Sequence, residues 1–276
     1  MIRKLLLPTD FSENAWNAII YALKLYANES CTFYLLHSMK VKASTMSNFS
    51  NKLSNAIRKA ALKDMLDLKK MVERVNANAN HSFEIMISNS DLQKAIESAI
   101  KKHQIQLVVM GTKGASGVKE LFFGSNTVEI IKHTKLCPIL TIPNNFDFTA
   151  PKKIAFATDF SRFYEEKEIT PIQRLTELYN SEIAILHLNN KENLNEVQAY
   201  NFKILENHLK AYKHHFYWMP NYAKKAEDIN NFIKDQKINI LAMVHYSHSF
   251  IEKITKEPVI KSIGFRPIVP FLVIPE

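Results

Sequence analysis

One stretch of this chain occurs twice. Residues 3–12 read RKLLLPTDFS and residues 152–161 read KKIAFATDFS, each a basic pair, an apolar run and then Thr-Asp-Phe-Ser. The agreement continues downstream. YLLHS, ending at Ser38, answers ILHLN, ending at Asn189, and both carry a histidine near the end, His37 and His187. IQLVVMG (105–111) answers INILAMV (238–244), and CPILTIP (137–143) answers VPFLVIP (269–275). Matches that recur in the same order indicate duplication, which constrains the fold more than any composition can. A polar, proline-containing connector, Asn144–Pro151, separates the copies, giving expected domains 1–146 and 151–276.

Each copy alternates short apolar runs with longer helical patterns. In the first, strands are expected near 4–9, 32–37, 83–87, 105–110 and 138–142. Helices are expected over 13–28, 50–75, 91–102 and 124–134, with Ser12 and Ser90 as N-caps. LVVM at 107–110 is the continuous apolar run of a strand covered on both faces. The alternation predicts an α/β chain of two tandem doubly wound domains, each a five-stranded parallel sheet flanked by helices. One continuous sheet, or antiparallel cores, would count against the duplication.

Glycine is scarce, and its placement is uneven. Four of the five glycines, Gly111, Gly114, Gly117 and Gly124, fall within fourteen residues between an expected strand and an expected helix. Glycine permits positive φ and close approach of a ligand to the backbone. A helix N-terminus adds free N–H groups and the positive end of a dipole. The combination favours an anion, phosphate above all, with Ser125 as hydroxyl donor and helix cap and Lys113 as a charge. The alternative is a plain chain-reversing turn. Neither G-x-x-x-x-G-K-[ST] nor G-x-G-x-x-G is present.

Other features exclude more than they assign. The net charge of +9 divides into +7 before residue 150 and +2 after it, and the lysines are spread along helices. Nucleic-acid binding is therefore not expected. No apolar run is long enough to span a membrane, and Leu5-Leu6-Leu7 runs into Pro8 before a signal peptide could form. Cys31 and Cys137 match no disulfide or metal spacing, which points to a reducing cytoplasm. His245 and His248 stand three apart without a further ligand nearby, so no metal site is expected.

The pattern Gly111-x2-Gly114-x9-Gly124-Ser125, taken with LLLPTDFS at the start, resembles the nucleotide-binding signature of the universal stress protein family. The likeness spans the chain twice and implies a Rossmann-like, adenine-nucleotide-alpha-hydrolase-like fold holding ATP or AMP, with or without Mg²⁺. By that resemblance Gly111, Gly114, Gly124 and Ser125 would cradle the phosphates with Lys113 nearby, and Asn126 would add its backbone N–H. Asp10 would face adenine or ribose, with Pro8 and Thr9 shaping that wall and Met110 ending the fourth strand beside it. The reading of Asp10 as a helix cap or turn residue stays open. Where nucleotide-binding members commonly place a valine beside the base, this chain has Ser38 followed by Met39. His37 reads as a packed strand histidine.

The second copy keeps Asp159 but has no glycine in HYSHSFIEK (245–253), and Gly264 stands alone. It reads as a structural partner without a phosphate cradle. The leading expectation is a non-enzymatic, nucleotide-binding stress protein. The alternatives are a weak ATP-hydrolysing enzyme, for which the segment 111–126 offers only Glu120 as a carboxylate, and a scaffold that binds no nucleotide. Finally, 138–142 and 270–274 read as apolar edge strands, each a hazard unless covered. They are expected to pair antiparallel, making a pseudo-two-fold dimer inside one chain, with a homodimer left open.

Overall fold

A computed structural model describes residues 2–39, 47–112, 124–219, 225–246 and 268–276, with the backbone alone for 47–53 and 225–226. In the first half the order is β1 (Arg3–Pro8), α1 (Glu13–Leu25), β2 (Cys31–Ser38), α2 (Ser47–Val75), β3 (His81–Ser88), α3 (Leu92–His103), β4 (Leu107–Gly111), α4 (Ser125–His133) and β5 (Ile139–Ile142). The second half gives β6 (Lys153–Ala157), α5 (Glu166–Tyr179), β7 (Glu182–His187), α6 (Glu196–Leu209), β8 (His214–Trp218), α7 (Lys225–Asp235), β9 (Ile240–His245) and β10 (Phe271–Pro275).

The ten strands form one sheet in the order β3-β2-β1-β4-β5-β10-β9-β6-β7-β8. Within each half the pairing is parallel, and helices join successive strands except between β9 and β10, where residues 247–267 lie outside the described ones. Only the central pair runs antiparallel, with Leu272 opposite Leu140 and Val273 opposite Ile139. The expectation of two separate five-stranded sheets is corrected: the halves share one continuous sheet, and continuity was the wrong criterion against duplication. Continuity is a consequence of pairing the two edge strands, and the order on one side of the seam is the order on the other, read outward.

Local chemistry accounts for the elements. Leu5 and Leu7 face one core and Leu6 the other, because successive strand residues point to opposite faces. With helices on both sides, every residue of β4 is buried. Helix α1 starts at Ser12, whose hydroxyl accepts from the Ala15 N–H at 3.2 Å. Helix α3 starts one residue later than expected: its cap is Asp91, whose carboxylate accepts from the Lys94 N–H at 3.0 Å, and not Ser90. Across the seam Leu140 and Leu272 are fully buried, each contributing about 2 kcal/mol through burial of its side chain.

Candidate functional site

The chain leaves β1 through a tight turn. Thr9 Oγ1 accepts from the Phe11 N–H at 3.0 Å, and the Asp10 carboxylate accepts from the Ser12 N–H at 3.1 Å and its hydroxyl at 2.6 Å. Together these hold Phe11 at φ 62°, a left-handed conformation that costs a side-chain-bearing residue about 1 kcal/mol. His37, at the end of β2, lies with Nδ1 2.9 Å from the Thr9 carbonyl oxygen and its ring against Phe11. A carbonyl can only accept, so Nδ1 carries the proton and the histidine packs as a strand residue.

Beside this turn, at the C-terminal ends of β1, β2 and β4, lies a cavity of about 120 Å³. That is the expected place for a ligand in a doubly wound sheet. Its walls bring together seven of the residues singled out from the sequence: Pro8, Thr9, Asp10, Ser38, Met110, Gly111 and Asn126. Ala15, Leu92 and Thr127 complete it and were not anticipated. Each belongs to a first helical turn whose approximate start was visible in the sequence, and the residue facing inward was not. Thr127 has a clear part, its hydroxyl lying 3.2 Å from the carbonyl oxygens of both Gly111 and Thr112, which ties α4 to the end of β4.

Several expectations need correction. Met39 is buried but does not line the cavity; its N–H donates to the Ser88 carbonyl at 2.7 Å. Ser38 lines the cavity, with its hydroxyl donating to the Ser90 carbonyl at 2.6 Å. Ser125 does not cap α4: the cap is Gly124, without a side-chain bond, and Ser125 is the first helical residue. Gly124 sits at φ −61° and donates its N–H to the Thr112 carbonyl at 2.6 Å, so no positive φ explains it. At Gly111 the need for glycine is one of packing. A Cβ there would come within 2.4 Å of Asn14 Oδ1 and 2.9 Å of the Asn14 carbonyl oxygen, where α1 crosses β4. Lys113, Gly114 and Gly117 lie outside the described residues, as do Glu120, His248 and Gly264.

The second half repeats the turn with different side chains beside it. Phe160 N–H donates to Thr158 Oγ1 at 3.0 Å, Ser161 N–H to Asp159 at 2.9 Å, and Phe160 stands at φ 54°. His187 Nδ1 meets the Thr158 carbonyl at 2.9 Å. Here, however, the Tyr246 hydroxyl donates to the Asp159 carboxylate at 2.6 Å. Buried Tyr164 shares a 2.7 Å hydroxyl contact with Thr158, and burial raises the phenol pKa of both tyrosines. Arg162 lies over both rings and forms a bidentate pair with Glu168, at 2.7 and 3.2 Å, whose side chain has no solvent exposure.

Elsewhere among the described residues, no group of three or more His, Cys, Asp or Glu is placed to hold a metal, and no helix is long and apolar enough to cross a membrane. Both cysteines are free and buried, with burial raising each thiol pKa to about 12.

A doubly wound sheet with a cavity at its strand ends defines a Rossmann-like α/β fold, and comparison with known proteins narrows it. The universal stress protein family model matches residues 1–143, and the chain belongs to that family. Universal stress protein MJ0577 of Methanocaldococcus jannaschii is 26% identical over 159 residues, covering 51% of this chain and 95% of that protein. Universal stress protein YxiE of Bacillus subtilis is 24% identical over 152 residues, covering 51% and 99%. In the solved structure of a universal stress protein from Archaeoglobus fulgidus, the likeness extends over 99% of this chain and 98% of that one, with a TM-score of 0.72 at 16% identity. That full-length match shows the fold of both halves.

Proposed function

We propose that this chain is a regulatory universal stress protein of two domains, 1–146 and 151–276, working in the cytoplasm, in which only the first domain binds an adenine nucleotide, ATP or AMP. The observation that carries the reading is the convergence of Pro8, Thr9, Asp10, Ser38, Met110, Gly111 and Asn126 on one cavity at the strand ends. Residues up to 118 positions apart in sequence meet there.

The residues suit the group. Pro8, Leu92 and Met110 offer apolar wall to a base. Asp10 places a carboxylate on the cavity wall, an acceptor type that suits ribose hydroxyls. The first turn of α4 presents the N–H groups of Ser125 and Asn126 toward phosphate, with Gly124 ahead of them and Lys113 and Gly114 completing the proposed set. The enclosed 120 Å³ is below the roughly 300 Å³ at which small-molecule sites begin, so these walls account for the base and sugar end of the ligand. Bound nucleotide, with or without Mg²⁺, would supply charge and bridging contacts and no chemistry of its own here. Asp10 is the one carboxylate on the described lining and is engaged by the turn, which favours binding over hydrolysis.

Calorimetric titration with ATP, ADP and AMP tests this. One equivalent per chain is expected, abolished by Gly124→Asp, whose carboxylate would repel a phosphate. Two equivalents would show the second half to be open, and none would leave the scaffold reading. Turnover of ATP should not exceed that of a Gly114→Asp control.

A further inference from the structure

The two-fold relation between the halves allows each surface to be compared with its counterpart. Helices α1 and α5 align at a separation of 150 residues: Ala18, Ile19, Ala22 and Leu25 are buried, and so are Glu168, Ile169, Ile172 and Leu175. In that alignment Asn17, Tyr21 and Lys24 answer Lys167, Pro171 and Arg174.

The first set is covered by the connector between the halves. The Asn17 amide donates to the carbonyls of Pro143 and Phe146, at 3.4 and 3.3 Å, and the rings of Phe146 and Phe148 pack on Tyr21 at 6.1 and 5.2 Å. No described segment lies in the same way on the second set. Instead a cleft of about 410 Å³ opens between α5 and the N-terminal ends of β1, β4 and β5. The volume lies within the range of about 300–1,000 Å³ typical of small-molecule sites.

The lining is one-sided in charge. Leu5, Leu107 and Leu272 lie buried beneath the cleft, and its accessible apolar walls are Leu136, Pro138 and Pro171. Arg3, Lys167 and Arg174 look onto it, and no carboxylate lines it. Arg3 is already paired with Glu29 at 3.0 Å and Lys167 with Glu165 at 3.1 Å. No carboxylate of the described residues pairs with Arg174. Gln106 lines the same cleft, and its Oε1 is buried without a hydrogen-bond partner among the described residues. That oxygen is an acceptor, which a water can satisfy and a carboxylate cannot.

We propose that this cleft binds a small organic anion with an apolar body, a medium-chain aliphatic carboxylate, its charge held by Arg174 with Lys167 and its chain laid against Leu136, Pro138 and Pro171. The planar guanidinium of Arg174 suits a carboxylate in bidentate fashion. A diffuse apolar wall selects for length rather than for a particular shape. The cleft lies at the opposite end of the strands from the cavity beside Asp10, so this site and the nucleotide site stand or fall separately.

Titration of the full chain with decanoate tests it, with inorganic phosphate as the charge without a body and decanol as the body without a charge. Decanoate should saturate at one per chain, and the two partial probes should bind at least about tenfold more weakly. Arg174→Ala should weaken decanoate about tenfold, and Arg174→Lys should restore part of the loss. Arg174 is exposed, so both variants should fold, which an unchanged melting temperature verifies. Absence of saturation below about 1 mM overturns the proposal. So does binding that Arg174→Ala leaves unchanged, or phosphate binding as tight as that of decanoate.

Discussion

The two Thr-Asp-Phe-Ser turns are built alike and sit in different surroundings. Both hold a phenylalanine in the left-handed region, both use the threonine hydroxyl and the aspartate carboxylate as acceptors, and both place a histidine Nδ1 on the threonine carbonyl. In the first half Phe11 is 41% exposed and a cavity opens beside Asp10. In the second Phe160 is fully buried, and Tyr164, Tyr246 and Arg162 occupy the flank of Asp159. The same hydrogen bonds form in both halves with different neighbours beside them, so the aspartate is sufficiently explained by the turn. The indication of a ligand lies in the space next to the motif.

The comparison depends on the two halves sharing one sheet, and breaking the seam should have the largest effect. Leu140 and Leu272 face each other in register with no exposure. Replacing both with lysine removes their apolar burial and forces two like charges into the centre of a ten-stranded sheet. We expect a loss of more than about 4 kcal/mol in urea denaturation, with apolar surface exposed to a dye at low urea. A pair of variants that unfolds as cooperatively as the parent would mean that the seam contributes little.

Next in size is the ion pair peculiar to the second half. Glu168 stands where the first half has Ala18, fully buried, and is held by Arg162 and by the Glu165 N–H at 2.8 Å. Arg162→Ala would leave a buried carboxylate without its counter-ion, at a cost of about 3 kcal/mol. Adding Glu168→Ala, which restores the first half's residue, should recover much of that loss. If the single variant loses nothing, water reaches Glu168 and the ion pair contributes little.

Most of the fold was legible because it is written in periodicity and repetition. Continuous apolar runs such as Leu107–Met110 marked the covered strands, and the recurrence of CPILTIP as VPFLVIP marked the two that meet. The candidate site was legible in part. Residues at strand ends, such as Asp10, Ser38 and Gly111, could be placed because a strand's end is a position in sequence. Ala15, Leu92 and Thr127 could not, since which side of a helix's first turn faces a cavity depends on the angle at which the helix meets the sheet. Gly111 shows the opposite hazard. Its glycine suited a phosphate loop, yet the contact with Asn14, ninety-seven positions earlier in the sequence, already requires it. The Tyr246–Asp159 contact of the second half was hidden for the same reason, because it forms only through tertiary structure.

The smallest expected effect concerns the two histidines. His187 is 4% exposed, and Phe160 and Trp218 pack against its ring at 4.8 and 5.5 Å. Nδ1 carries a proton for the Thr158 carbonyl, so a second proton must go to Nε2, which is buried without a hydrogen-bond partner among the described residues. Burial therefore lowers the pKa of His187 from its ordinary value of 6.5. The sign follows directly: above pH 6.5 the ring is neutral in both the folded and the unfolded chain and pH has no leverage through it. As the pH falls below 6.5 the unfolded chain takes up a proton that the folded chain resists, and stability declines until the folded pKa is passed. Each unit by which the pKa is held down corresponds to about 1.4 kcal/mol. His187→Phe should cost about 1 kcal/mol at pH 8, through the lost hydrogen bond to Thr158, and should then be relatively less harmful at pH 5. His37 lies half-buried against the exposed Phe11, so His37→Phe supplies the counterpart. Difference curves for the two variants that superimpose between pH 8 and pH 5 would show that enclosure by Phe160 and Trp218 changes nothing, and the contrast between the halves would then be one of shape alone.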